Sequence, residues 1–200
     1  MQIHNIEQGT PEWFALRRGV ATASNFDRVV TSTGKESAQL AGYALQLASQ
    51  LLSDQDDEMY TNADMERGII LEAEARQVYQ ETMPADVTQA GFITNYGHGY
   101  SPDGLIGDDG LIEIKCPKQN THTKYLYQGK VPSDYYAQVQ GGLYITGRSW
   151  CDFISYHPNF GERKLFIFRS YRDEEFIGAL AKNLEKLAKQ RDDIVKKIRG

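Results

Sequence analysis

Ser101-Pro102-Asp103-Gly104 is followed, after a short turn, by Leu111-Ile112-Glu113-Ile114-Lys115. A carboxylate leads; a second carboxylate and a lysine follow, with one apolar residue between them. Successive side chains of a β-strand alternate faces, so Glu113 and Lys115 point one way and Ile114 the other, into a core. With the Asp103 segment beside that strand, two carboxylates and an ammonium share one surface. Two hard oxygen donors suit Mg²⁺, which keeps several waters and favours carboxylates together with substrate phosphates. The lysine can hold an attacking water or the charge that develops on phosphorus. These are the groups needed to hydrolyse a phosphodiester.

The spacing resembles the PD-(D/E)XK nuclease signature: Pro102-Asp103, nine intervening residues, then Glu113-Ile114-Lys115. The same residues also have ordinary uses. Pro-Asp-Gly is a common turn, and a Glu and a Lys two apart form the wet face of an amphipathic strand.

Other segments carry compatible chemistry. Arg17 lies seven residues before Ser24, with Thr22 between them. A guanidinium fork, hydroxyls and a helix start together make a phosphate cradle, and they equally make an ordinary helix end and cap. Glu72, in a helical stretch, could present a carboxylate to the same cation or could pair with Arg76 at i,i+4. Gln138 and Gln140 sit on a helix after the signature, where a neutral amide can position a water without altering the metal's charge balance. His98, in Gly97-His98-Gly99, reads as a turn residue and is left outside the site.

The elements that must position these groups follow from caps and periodicity. Thr10-Pro11 starts a helix that ends near Arg17-Arg18-Gly19. A second helix starts at Thr22–Phe26. Residues 37–53 and 62–82 read as helices, the latter from a cap at Asn62 through Met65, Ile69, Val78 and Tyr79, and Pro84 ends it. Asp86–Asn95 reads as a strand, and Tyr96–Tyr100 as a turn entering the next. Leu105-Ile106 and Leu111–Cys116 flank Gly107-Asp108-Asp109-Gly110, a hairpin signal. A helix over 133–146, strands over 151–156 and 164–168, and a terminal amphipathic helix over 173–198 complete the chain. The fold class expected is α/β (α+β): a central mixed sheet flanked by helices, with a restriction-endonuclease-like PD-(D/E)XK core.

The chain has 200 residues, enough for one domain with a full core. Nothing approaches a membrane-spanning run, and no signal peptide is legible. Two cysteines, Cys116 and Cys151, lie far apart; they read as small apolar groups in a reduced cytoplasmic setting and exclude a four-cysteine iron–sulfur cluster within this chain. The net charge of −5 runs against a nucleic-acid partner unless a basic groove is set on an acidic body, with acids clustered in the solvated run Asp54–Glu58.

Taken in order, Arg17 with Thr22-Ala23-Ser24, Gly68 with Glu72, Ser101-Pro102-Asp103-Gly104, Glu113-Ile114-Lys115-Cys116-Pro117 and Ala137-Gln138-Val139-Gln140 resemble the phage lambda exonuclease family, also called YqaJ-type viral recombinases. The match runs from Glu12 to about Tyr156; the C-terminal helix is compatible but unspecific. The resemblance implies a single nuclease domain over residues 1–200. It implies a Mg²⁺-dependent exonuclease, with Mn²⁺ able to substitute, that degrades the 5′-ended strand of duplex DNA. Mononucleotides would be released and a 3′ overhang left. It also implies a ring-shaped homotrimer, a single-strand annealing protein as partner, and a phage or prophage origin in a bacterial cytoplasm. By motif position, Asp103, Glu113 and the Ile114 backbone carbonyl would ligate metal, and Glu72 would help hold a second metal or its water. Lys115 would orient or activate the attacking water, with Gln138 in support. Arg17, Ser24 and Thr22 would bind the 5′-phosphate. One departure is the Ser32-Thr33-Gly34-Lys35 loop, where the family is often more basic. The rival readings are a restriction or repair endonuclease on the same core, and an inactive DNA-binding recombination scaffold.

Overall fold

The computed structural model describes residues 1–54 and 63–200. Strand β1 (Gln2–His4) leads into α1 (Pro11–Arg17). The Trp13 N–H donates to the Thr10 hydroxyl at 3.3 Å, and Pro11 takes the first helical position, where no N–H is needed. β2 (Ala21–Thr22) runs straight into a 3-10 helix, Ala23–Arg28, where the sequence suggested a second helix. α2 (Leu40–Leu52) buries Tyr43, Ala44, Leu47 and Ala48 at helical spacing. α3 (Ala63–Thr82) follows. The expected Asn62 cap and residues 55–58 of the acidic run lie outside the described residues, as do the side chains of Met65 and Ile69.

β3 (Val87–Thr88), β4 (Phe92–Asn95), β5 (His98–Tyr100), β6 (Gly104–Ile106) and β7 (Gly110–Lys115) come next, then α4 (Gln119–Gln128) and α5 (Ser133–Thr146). The chain closes with β8 (Trp150–Tyr156), a 3-10 segment Pro158–Arg163, β9 (Leu165–Tyr171) and α6 (Glu174–Arg199). The expected mixed sheet flanked by helices is present as the order β3-β6-β7-β8-β9, in which β7 and β8 are parallel and the other pairs antiparallel. A smaller mixed sheet, β1-β4-β5-β2, lies beside it.

The stretch 86–95, read as one strand, is two strands in different sheets. The break falls at Ala90-Gly91, where the chain passes against β1's exit: a Cβ on Gly91 would collide with the Ile6 carbonyl. α4 was not foreseen at all. Its buried positions are His122 and Tyr125, neither of which announces an apolar stripe, and Gly129 at φ 58° ends it in the left-handed region.

The five-stranded sheet is covered on both faces, as a sheet with a parallel pair at its centre requires. Ile112, Ile114, Ile154 and Tyr156 pack against Ala75 and Tyr79 of α3. Leu111, Cys151 and Phe153 join the larger core with residues of α2, α5 and α6. By strand alternation Glu113 and Lys115 share the face of Leu111, turned toward α5. α6 starts from an Asp173 carboxylate that accepts the Phe176 N–H at 3.0 Å, and it buries Phe176, Ile177, Leu180, Leu184 and Leu187.

Because the obstacle at Gly91 is backbone rather than a flexible side chain, Gly91→Ala is expected to cost about 1–3 kcal/mol of stability. Urea unfolding would read this as a lower midpoint at unchanged slope; an unchanged midpoint would show that the Ile6 segment yields without cost.

Candidate active site

The hairpin of β6 and β7 builds the centre of the site. Its register pairs Gly104 with Ile112, so Asp103, the residue before β6, comes opposite Glu113. β6 stops there, which would leave the next N–H of β7 without a strand partner. The Asp103 carboxylate supplies it: Ile114 N–H donates to Asp103 Oδ2 at 2.6 Å. A strand residue's N–H and C=O leave on the same side, so the Ile114 carbonyl faces the side where Asp103 lies. Arg76 of α3 fixes the same segment, its Nε donating to the Asp103 backbone carbonyl at 2.9 Å.

Glu113 is buried, 1% exposed. Its Oε1 accepts from Lys115 Nζ at 2.7 Å and from Gln138 Nε2 at 2.5 Å; its Oε2 accepts from the Tyr100 hydroxyl at 2.9 Å. A carboxylate offers about four lone-pair positions, so one remains open. Lys115 lies 4.9 Å from the centre of the Tyr135 ring, a second source of attraction for its charge. Burial works against the ammonium, but Glu113 and Asp103 outweigh it and hold Lys115 above its ordinary pKa, so it is charged at neutral pH. Asp103 is pushed well above the usual carboxylate range, first by burial and then by the charges of Glu113 and Glu72.

Glu72 forms the i,i+4 pair with Arg76 at 2.5 Å, the ordinary reading of that residue. It still lies close enough to the centre to feel Glu113 and Lys115: burial raises its pKa, Arg76 opposes, and Glu113 adds to the rise. Glu74, on another side of α3, accepts from the Tyr156 hydroxyl at 2.6 Å. Among the described residues no three His, Cys, Asp or Glu side chains gather as a ready-made metal cage. The donor set that fits a cation is instead two carboxylates, Asp103 and Glu113, and the Ile114 carbonyl. All are hard oxygens, and the repulsion that raises Asp103 is the kind a divalent cation relieves.

Arg17 reaches the segment leading into the hairpin from α1. Its guanidinium lies 3.9 Å from the Trp13 ring centre and 5.5 Å from that of Phe92, and Nη1 donates to the Ser101 hydroxyl at 3.3 Å. Trp13 Nε1 donates to that hydroxyl at 2.9 Å. Ser101, two residues before Asp103, thus ties the arginine to the hairpin. Burial lowers Arg17 to about 10, with the nearby Tyr43 charge opposing, so the cation persists at neutral pH. Thr22 pairs with Gly99 of β5, and its N–H donates to the Tyr43 hydroxyl at 3.2 Å. Its own hydroxyl is 3.3 Å from that of Ser24, which is exposed. Arg17 and the Thr22 backbone thus each lie near Tyr43.

The two glutamines of α5 separate. Gln138 faces Glu113, whereas Gln140 is buried, donating to the Tyr171 carbonyl at 2.9 Å and accepting the Asp173 N–H at 2.9 Å. Sequence reasoning missed Tyr100, Trp13, Ser101 and Tyr135, whose roles arise only when β5, α1 and α5 close on β7. His98 stays outside the site, buried beside Phe26, with burial lowering it to about 4.

Tyr100→Phe would leave Glu113 Oε2 without a donor. The expected cost is about 1.5–3 kcal/mol, the range for hydrogen bonds to charged groups. A thermal-unfolding double-mutant cycle with Glu113→Gln tests it; strictly additive effects would mean that the bond contributes nothing.

Residues 12–149 match the model of the YqaJ-like viral recombinase domain. No curated protein sequence matches the chain. The crystal structure of an alkaline exonuclease, LHK-Exo, from Laribacter hongkongensis is similar at 36% identity over 95% of this chain and 96% of that one, with a TM-score of 0.87. The structure of LHK-Exo in complex with dAMP is similar at 36% identity, over 95% and 98%, with a TM-score of 0.82. A phage-related exonuclease from Haemophilus somnus 129PT shares the fold at 14% identity, over 90% and 96%, with a TM-score of 0.73. On the extent of the family match and the 36% identity across nearly the whole of both chains, this chain belongs to the YqaJ-like viral recombinase family.

Proposed function

We propose that the chain is a metal-dependent deoxyribonuclease that resects the 5′-ended strand of duplex DNA, releasing mononucleotides and leaving a 3′ overhang for strand-annealing recombination. The observation that carries this reading is the meeting of Asp103, Glu113 and Lys115 at the open end of the β6–β7 hairpin. The alkaline exonucleases at 36% identity support a nuclease.

Asp103, Glu113 and the Ile114 carbonyl would hold a divalent cation, Mg²⁺ by preference and Mn²⁺ as substitute, with Glu72 holding a second ion or its water. The cation, when bound, stabilises charge on the phosphoryl oxygens and lowers the pKa of a water. Lys115 is held protonated by its carboxylate neighbours. It therefore acts as a donor, orienting the attacking water or a phosphoryl oxygen, rather than as the base in that state. Gln138 spends its N–H on Glu113, which leaves its carbonyl oxygen to accept from the water. Arg17, with the hydroxyls of Ser24 and Thr22, takes the 5′-phosphate, so that seating the end places the next phosphodiester at the carboxylates. A homotrimeric ring around the DNA would account for processivity, because an encircling enzyme must unthread before leaving.

Three outcomes test the reading. Linear duplex with Mg²⁺ should be degraded and closed circular duplex left intact; nicking of the circle would favour an endonuclease, and no cleavage of either across a Mg²⁺ titration would favour a scaffold. Lys115→Ala and Asp103→Ala should each slow hydrolysis by roughly 10³-fold or more, the scale for loss of a preorganised charge, with DNA binding kept. Full activity in Asp103→Ala would remove the mechanism. Arg17→Ala should abolish the preference for 5′-phosphorylated over 5′-hydroxyl ends, measured as a ratio of initial rates; a wild type that cuts both ends alike would remove the pocket.

A further inference from the structure

A cleft of about 860 Å³ opens between the 31–35 loop, the α4–α5 connection and the start of α6. Lys35 enters it from the loop, Lys124 from α4 and Lys130 from the connection. All three are exposed, and among the described residues none of them forms an ion pair. In a chain with 27 acidic and 22 basic residues, three unpaired cations around one cleft run against the bulk charge. Tyr136 and Phe168 line its wall, and Thr33 and Ser133 add hydroxyls.

Two carboxylates also border the cleft. Asp173 is spent within the fold, accepting from Phe176 N–H at 3.0 Å and from the Tyr136 hydroxyl at 2.8 Å. Glu175 is exposed. Three lysines against one unengaged carboxylate leave the cleft positive. It lies on one flank of the first turn of α5: Tyr136 faces it, while the adjacent Tyr135 lies beneath Lys115.

We propose that this cleft is a second DNA contact, in which Lys35, Lys124 and Lys130 hold the sugar-phosphate backbone away from the scissile bond. The inference rests on the nuclease reading of the Glu113 site and extends it to affinity and run length. A polyanion suits three separated ammonium groups, and the aromatic wall gives bases a face to stack on. Each lysine that neutralises a phosphate displaces condensed counterions, which makes its contribution visible in the salt dependence of binding. A free nucleotide's phosphate shares this chemistry but would engage fewer of the lysines at once.

The test is duplex binding by the full chain without divalent metal, across a range of monovalent salt. Lys124→Ala/Lys130→Ala should flatten the log–log salt slope by about 1.8 and weaken binding about tenfold at moderate salt. Lys189→Ala/Lys196→Ala, which removes two exposed lysines of α6 that do not line the cleft, controls for net charge. A double variant with the slope and affinity of that control would overturn the proposal. So would dAMP that binds as tightly as an oligonucleotide and loses affinity in the double variant, because the cleft would then be a mononucleotide pocket. Wild type that shows the lysine-dependent slope but cleaves nothing would support the cleft and sink the Glu113 reading. Cleavage with an unchanged slope would sink the cleft alone.

Discussion

A carboxylate buried to 1% exposure must be supplied with donors, and Glu113 draws several elements together to meet that need. Tyr100 comes from the smaller sheet, Gln138 from α5 and Lys115 from its own strand. Two elements beyond its own strand are thereby brought to one group. The same bonds leave Lys115 charged and pointed along the face where Asp103 ends its segment. Packing and chemistry are not separable here, since the contacts that satisfy the buried acid also aim the ammonium.

Around that centre the electrostatics are unbalanced by construction. Asp103, Glu72 and Glu113 repel one another, and Lys115 and Arg76 offset part of the repulsion. Asp152, by contrast, takes both prongs of Arg169 at 2.7 and 2.8 Å and the Tyr79 hydroxyl at 2.6 Å. Three hydrogen bonds thus hold the Asp152 carboxylate, whereas among the described residues one, from Ile114 N–H, holds that of Asp103.

Much of this was legible in the sequence. Alternation along Leu111–Lys115 gave the facing of Glu113 and Lys115, and Thr10-Pro11 and the apolar spacing of residues 173–198 gave α1 and α6. What stayed hidden was tertiary. α4 has polar and aromatic residues without a stripe, and its buried His122 is satisfied by Ser155 and the Arg163 carbonyl, partners far along the chain. The split of 86–95 into two sheets depends on the close passage of Ile6 past Gly91. Tyr100 and Ser101 carry no local signal, because their hydroxyls acquire meaning only once Tyr100 reaches Glu113 of β7 and α1 reaches Ser101.

The hairpin register has a wider implication. Asp103 comes opposite Glu113 because Gly104 pairs with Ile112, a register held by the turn at Gly107–Asp109 together with the buried faces of the two strands. A longer loop that kept the same faces paired would leave both acids where they are. The number of residues separating them along the chain is therefore a property of a surface loop, and relatives with the same chemistry can escape any search that fixes the interval.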